Sequence, residues 1–171
     1  IAGEAAILLQ LATIDLRIRD FNGAHKKLTK VMKIMTEIGY PEGVAVTLHQ
    51  FASIGLIDGN HEAVHDLLVN ALKIQQTSGG IGGEAAAFHQ LGILYWKMGC
   101  LQEGFRLVAL SYVIVNSIGH EKAKICLENL NVMSSNLNYS PEIIDTIIEE
   151  VTESYRQDRG RSLINVVFPK T

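Results

Sequence analysis

A forty-residue spacing constrains this chain more than any other feature of it. Gly3, Gly43 and Gly83 recur at that interval, and so, in the same register, do Gln10, Gln50 and Gln90. Ala12, Ala52 and Gly92 coincide and are all small, and Gly39, Gly79 and Gly119 close the units. A chain with a repeat of this length stacks one supersecondary unit on copies of itself, because one unit alone cannot bury its apolar face.

Within each unit the apolar period is helical. The spacing predicts first helices at Gly3–Arg19, Glu42–Asp58 and Gly82–Met98, and second helices at Asn22–Ile38, Asn60–Ser78 and Leu101–Ile118. Asn22 and Asn60 are candidate N-caps, since a short side-chain oxygen can accept a free backbone N–H there. Gly39, Gly79 and Gly119 can take the left-handed conformation that stops a helix. Residues 120–158 make a weaker fourth pair. Its first helix, His120–Asn136, brings Leu127 and Leu130 into phase if one residue is deleted. Its second starts at Ser140-Pro141-Glu142 and turns Ile144, Ile147, Ile148, Val151 and Tyr155 inward. Val132, Ile144 and Val151 stand where the earlier units are small, as in a terminal unit that caps a stack. The β-branched run Ser162–Phe168 reads as extended. The expected organisation is a repeat domain over 1–158, with units 3–42, 43–82 and 83–122 and a capping pair 123–158, then a tail 159–171. The chain opens in phase at Gly3, so further repeats are expected ahead of it.

Composition narrows the function. At 47% hydrophobic the chain has enough apolar mass for a core. A net charge of −3 gives no general attraction to nucleic acid or to an anionic membrane, and neither is expected as a partner. Two cysteines, Cys100 and Cys126, are too few for a disulfide framework and suit a reducing, cytoplasmic setting.

The third unit is the most regular. Phe88-x2-Leu91-Gly92-x2-Tyr95, then Gly99, then Gly104-x3-Val108, resembles the tetratricopeptide repeat. Small residues at Gly92 and Gly104 let two helix backbones approach, and Leu91 and Val108 fill the seam. The other units keep this logic with Leu11-Ala12, Ala24 and Leu28, and with Phe51-Ala52, Gly59 and Leu68. They depart from it at Val64, which replaces a small residue, and at Asp15 and Gly55, which replace the tyrosine; the usual closing proline is absent. The period is longer than the common ~34 residues and is similar to the long-helix variety of kinesin light chain and of prokaryotic multi-repeat proteins.

The resemblance, strong over about residues 3–122, implies an all-α fold, an α-α superhelix built as a solenoid of antiparallel hairpins. It implies first helices lining a concave groove that holds a peptide or helix of a protein partner, with no enzyme activity and no cofactor. Carried onto this sequence, the lining is Leu9, Thr13, Leu16 and Arg17 in the first unit, and His49, Ser53, Leu56 and Ile57 in the second. The third unit gives His89, Ile93, Trp96 and Lys97. The family's clamp for a chaperone tail needs Lys and Asn where Leu9, Thr13 and Ala86 stand, so that activity does not carry over.

His61-Glu62-Ala63-Val64-His65 has the i, i+4 histidines of a zinc protease, but repeat packing accounts for the same slot and a third ligand is lacking. No catalytic residue and no metal site is expected. His49-Gln50 and His89-Gln90 recur one unit apart, either as drift or as groove ligands for a partner's backbone. Lys26, Lys27, Lys30 and Lys33 read as a solvated basic face, and Gly79–Gly83 as an inter-repeat turn without phosphate-loop context. One feature does not fit a solvated surface. The outer face of the third unit's second helix carries Leu110, Val113 and Ile114, so something must cover them. The expected cover is a second copy, making a homodimer and an alternative role in self-association, in preference to the tail Leu163–Phe168.

Overall fold

The computed structural model of the chain describes Ala2 to Ile164. Eight α-helices fill these residues: α1 (Ala2–Arg17), α2 (Phe21–Glu37), α3 (Pro41–Asp58), α4 (His61–Ser78), α5 (Ile81–Lys97), α6 (Leu101–Ser117), α7 (Ala123–Leu137) and α8 (Pro141–Asp158). A 3-10 turn at Arg161–Ile164 follows, and there is no strand among the described residues. The fold is an all-α array of helical hairpins, as the forty-residue period requires.

A regular stop sets the helix lengths. Arg19, Gly39, Gly59, Gly79, Gly99 and Gly119 all have positive φ, twenty residues apart. Asn138 and Arg159 continue the series with steps of nineteen and twenty-one. At the first seven stops the residue that follows donates its N–H to the carbonyl five residues back, as in Tyr40 to Met35, Cys100 to Tyr95 and Tyr139 to Ser134. This is the Schellman closure, which satisfies carbonyls that the helix end leaves unpaired. Arginine is unusual in the left-handed region, and at Arg19 and Arg159 the chain adopts it against side-chain preference. At the N-termini, Asn60 caps α4 by accepting from Ala63 N–H. Asn22 is not a cap: α2 begins earlier, and Asp20 accepts from Gly23 N–H at 2.9 Å.

The chain divides after Ala87, inside α5, into two compact units. In the first, α1 packs on α2, α2 on α3 and α3 on α4. One cluster joins Ala12, Ala24, Leu28 and Ile54, flanked by Leu9, Leu16, Phe21 and Phe51; a second joins Ala5, Val31 and Met35. The two departures from the tyrosine-and-small pattern prove to be compensated across their seams. At Gly55 an added Cβ would meet Val64 Cγ2 at 2.5 Å, so the valine fills the space its partner vacates. In the first hairpin Asp15, largely buried, takes an ion pair from Lys27 of α2. Lys27 therefore does not belong to the solvated face, while Lys26, Lys30 and Lys33 are exposed. A second kind of contact joins consecutive hairpins. Gly43 at the start of α3 lies under Met35 of α2, and Gly83 at the start of α5 lies under Gln75 of α4.

In the second unit the hairpin of α5 and α6 closes backbone on backbone. A Cβ on Gly92 would meet Gly104 O at 2.8 Å, and one on Gly104 would meet Gly92 O at 2.8 Å. Helix α7 packs on α6 and buries Cys126, Leu130, Met133 and Ser134. These lie thirty-nine residues after Ala87, Leu91, Leu94 and Tyr95, all buried, which agrees with the single-residue deletion at Leu130, whereas Leu127, expected in the same phase, is exposed. Ser111, the polar break in the apolar run of α6, sits 3.6 Å from the Cys126 thiol.

The expected oligomer face is internal. Leu110 and Ile114 are 0% and 2% exposed and Val113 is half-buried, because α8 packs along this side of α6. Ile147 and Val151 of α8 are buried, with Ile144, Ile148 and Tyr155 half-buried beside them. Arg106 of the same α6 face pairs with Glu150 of α8. The turn after α8 then presses on the core: a Cβ on Gly160, whose φ is +74°, would meet Leu110 Cδ2 at 2.6 Å and Phe88 Cζ at 2.9 Å. Arg161–Ile164 is a 3-10 turn rather than extended, and Tyr95 donates its hydroxyl to Ile164 O at 3.1 Å. The remainder of the expected tail, 165–168, lies outside the described residues. The chain thus covers its own aliphatic patch, chiefly with a helix, and a second copy is not required there.

Two stability measurements check this packing. Gly55→Ala gains helix propensity yet should destabilise by about 1–3 kcal/mol through overlap with Val64. Adding Val64→Ala should recover part of that loss, with a coupling of at least about 1 kcal/mol in a denaturation double-mutant cycle. Gly160→Ala should cost more than Gly119→Ala by about 1 kcal/mol or more, because both are left-handed but only Gly160 has atoms waiting where the methyl would go. Equal losses at the two glycines would disprove the docking of the turn on Leu110.

Candidate partner-binding face

Each first helix packs on its hairpin partner through a small residue, Ala12, Ala52 or Gly92, and the positions one step around the helix are half-covered or exposed. In the first unit α1 touches α3. Leu16, His49, Ser53 and Leu56 are half-buried there, and Arg17 and Ile57 are exposed. His49, Ser53, Leu56 and Ile57 follow the i, i+4, i+7, i+8 spacing of one helical face. Leu16 also packs against the cluster of Ala12 and Leu28, so it serves the core as well as the surface. The Thr13 and Ser53 hydroxyls donate to Leu9 O and His49 O in their own helices, so their protons are already committed.

In the second unit His89, Ile93 and Trp96 are half-buried and Lys97 is exposed. None of the twelve expected positions is enclosed in the core. Sequence reasoning missed Asn129 of α7, whose amide donates to His89 Nε2 at 2.8 Å. The bond requires the neutral ring with its proton on Nδ1. In the thirty-nine-residue register of α7 Asn129 is the counterpart of Gln90, so the repeat did not single it out. On the same face of α7 by spacing, Ile125 and Val132 are exposed. Val132 is thus a surface residue and not a seam residue, because the deletion has turned α7 by one position.

The electrostatics of this face are mild. Burial holds the His89 imidazole below its ordinary value, and the Lys122 ammonium adds to the effect. His65, in the H-E-x-x-H string, is likewise held down by burial, and Asp66 at 3.6 Å opposes this. Among the described residues no three His, Cys, Asp or Glu side chains are grouped to hold a metal ion. A separate cleft of about 350 Å³ lies in the first unit between Arg19, Asp20, Phe21, Asn22, His25, Ile54 and Asp58, and none of the twelve expected positions lines it. No helix among the described residues is long and apolar enough to cross a membrane. Comparison of the chain with protein-family models and with curated proteins gives no match.

The depressed histidines make stability depend on pH with a definite sign. A His whose folded value lies below its ordinary 6.5 binds fewer protons folded than unfolded as the pH falls through that window. Stability is therefore fully present above about pH 6.5 and is lost progressively below it. Denaturant midpoints should drop between about pH 7.5 and pH 5.5, and His89→Gln should reduce that drop. An unchanged drop in the variant would remove His89 from the account.

Proposed function

We propose that the chain is a tetratricopeptide-like interaction module, without catalytic activity, that binds a peptide or helix of a partner protein on the faces of its first helices. The observation that carries this reading is the row His89, Ile93 and Trp96, half-buried beside the exposed Lys97. The seam of α5 on α6 is closed by Gly92, Gly104, Leu91 and Val108, with only the backbone of Trp96 lying against Gly104. Trp96 is the only tryptophan of the chain, and large aromatic surface with one polar edge is the kind that anchors protein contacts. Leu56 and Ile57 offer similar surface in the first unit. The free cysteines Cys100 and Cys126 fit a reducing, cytoplasmic setting. Self-association has lost the surface expected for it, since Leu110 and Ile114 are internal.

A random peptide library displayed on phage tests the reading. Panning should enrich sequences that shift Trp96 fluorescence on binding. Trp96→Ala should weaken those peptides about tenfold or more, a loss of about 1.4 kcal/mol or more, with little change in melting temperature. Peptides that bind parent and variant alike would count against this face.

A further inference from the structure

Helix α1 carries an apolar stripe that nothing in its own unit covers. Ile7, Leu11, Ile14 and Ile18 share one face and are 60%, 41%, 51% and 69% exposed. The forty-residue register says what this face is. Ile7, Leu11 and Ile14 correspond to Thr47, Phe51 and Ile54 of α3. There Thr47 is buried, and Phe51 and Ile54 pack in the cluster with Ala24 and Leu28 of α2. The same positions of α5, Ala87, Leu91 and Leu94, are buried as well. The face of α3 that receives a second helix is the face that α1 leaves open.

A second observation is independent of hydrophobicity. Gly43 is a notch for Met35 and Gly83 is a notch for Gln75, each residue coming from the helix that precedes. Gly3 stands in the same register, and nothing lies within 4 Å of where its Cβ would be. The notch is cut and has no occupant. Ile38-Gly39-Tyr40 also shows how little chain is needed to pass from a second helix onto the next first helix.

We propose that α1 is an open stacking edge, which receives the second helix of one further forty-residue hairpin joined ahead of it in the same polypeptide, as α2 lies on α3. The incoming helix carries apolar residues at the spacing of Phe21, Leu28 and Val31, and its residue in the register of Met35 seats on Gly3. This does not depend on what the face around Trp96 binds.

The test is an extended chain in which a second copy of residues 3–42 precedes Gly3 in register, compared with the chain as it stands. Extension should raise the melting temperature by about 5 °C or more in a single transition, and should protect the added hairpin from proteolysis. Ile7→Lys with Ile14→Lys in the acceptor α1 should leave the unextended chain unchanged, since both residues are exposed, and should abolish the gain. Gly3→Met in the acceptor should also be silent in the unextended chain and should reduce the gain, which a merely greasy contact would not do. No gain, or a gain that survives the lysines, overturns the proposal. So does light scattering that finds the unextended chain dimeric and the lysine pair monomeric, which would assign the stripe to a second copy.

Discussion

The left-handed residue that ends a helix every twenty residues is the constraint on which the other features depend. It holds the helices before α7 to sixteen to eighteen residues, so the partners of a hairpin match in length. Matched length puts the small seam residues at a fixed distance from each turn, seven before Gly99 at Gly92 and again seven before Gly59 at Ala52. A seam at fixed height lets successive hairpins use one stacking offset, with Gly43 under Met35 and Gly83 under Gln75. The free energy of each stop is modest, but its position sets the phase of every apolar face downstream. The deletion before α7 shows the consequence: one residue lost from the step moves the buried set to Cys126, Leu130 and Met133 and turns Val132 to the surface.

Seams show what a column of aligned residues conceals. Down one column stand Asp15, Gly55 and Tyr95; across the seam stand Ala24, Val64 and Gly104. Each column alone looks like decay of a pattern. Taken as pairs they keep their fit, with Val64 against Gly55 in one hairpin and Gly104 against the backbone of Gly92 and Trp96 in another. The first hairpin uses Lys27 against Asp15, a largely buried charge that requires its partner. Periodicity made the helices, their order and nearly all their boundaries legible, because apolar spacing and glycine stops are local signals. The pairing was not legible, because complementarity is a property of two positions at once and a single repeat column carries one of them. The same limit applies to the candidate site. His89, Trp96 and Ile57 could be placed on surface-facing turns from phase alone, whereas the bond from Asn129 to His89 needed the second position as well.

Helix α6 marks the point where regular repetition gives way. Nine of its seventeen residues are buried, on more sides than a two-sided seam uses. Its aliphatics at Leu110 and Ile114 correctly announced a cover, and the inward stripe of α8 at Ile147 and Val151 was readable from its own spacing. What could not be read was that these two stripes meet. The repeat implies that a second helix shows its outer face to water, and α8 departs from that rule by lying along α6. Arg106 with Glu150 and Gly160 against Leu110 fix the departure at two heights.

The contrast between the outward faces of α8 and α1 follows from this. With Ile147 and Val151 spent on α6, α8 turns Glu142, Asp145, Glu149 and Glu153 to solvent. A helix with one apolar and one acidic face leaves little apolar surface to be covered, and on α8 that is chiefly Ile143. α1 has spent one apolar face on α2 and still carries another, at Ile7, Leu11, Ile14 and Ile18. Four branched side chains in a row on a solvated helix surface are costly in water and gain nothing for the hairpin that bears them. Ile7, Leu11 and Ile14 match the covered positions Thr47, Phe51 and Ile54 of α3, and Gly3 matches Gly43, whereas Ile18 matches the exposed Asp58. A helix that serves only as an end would be free to carry charges there, as α8 does.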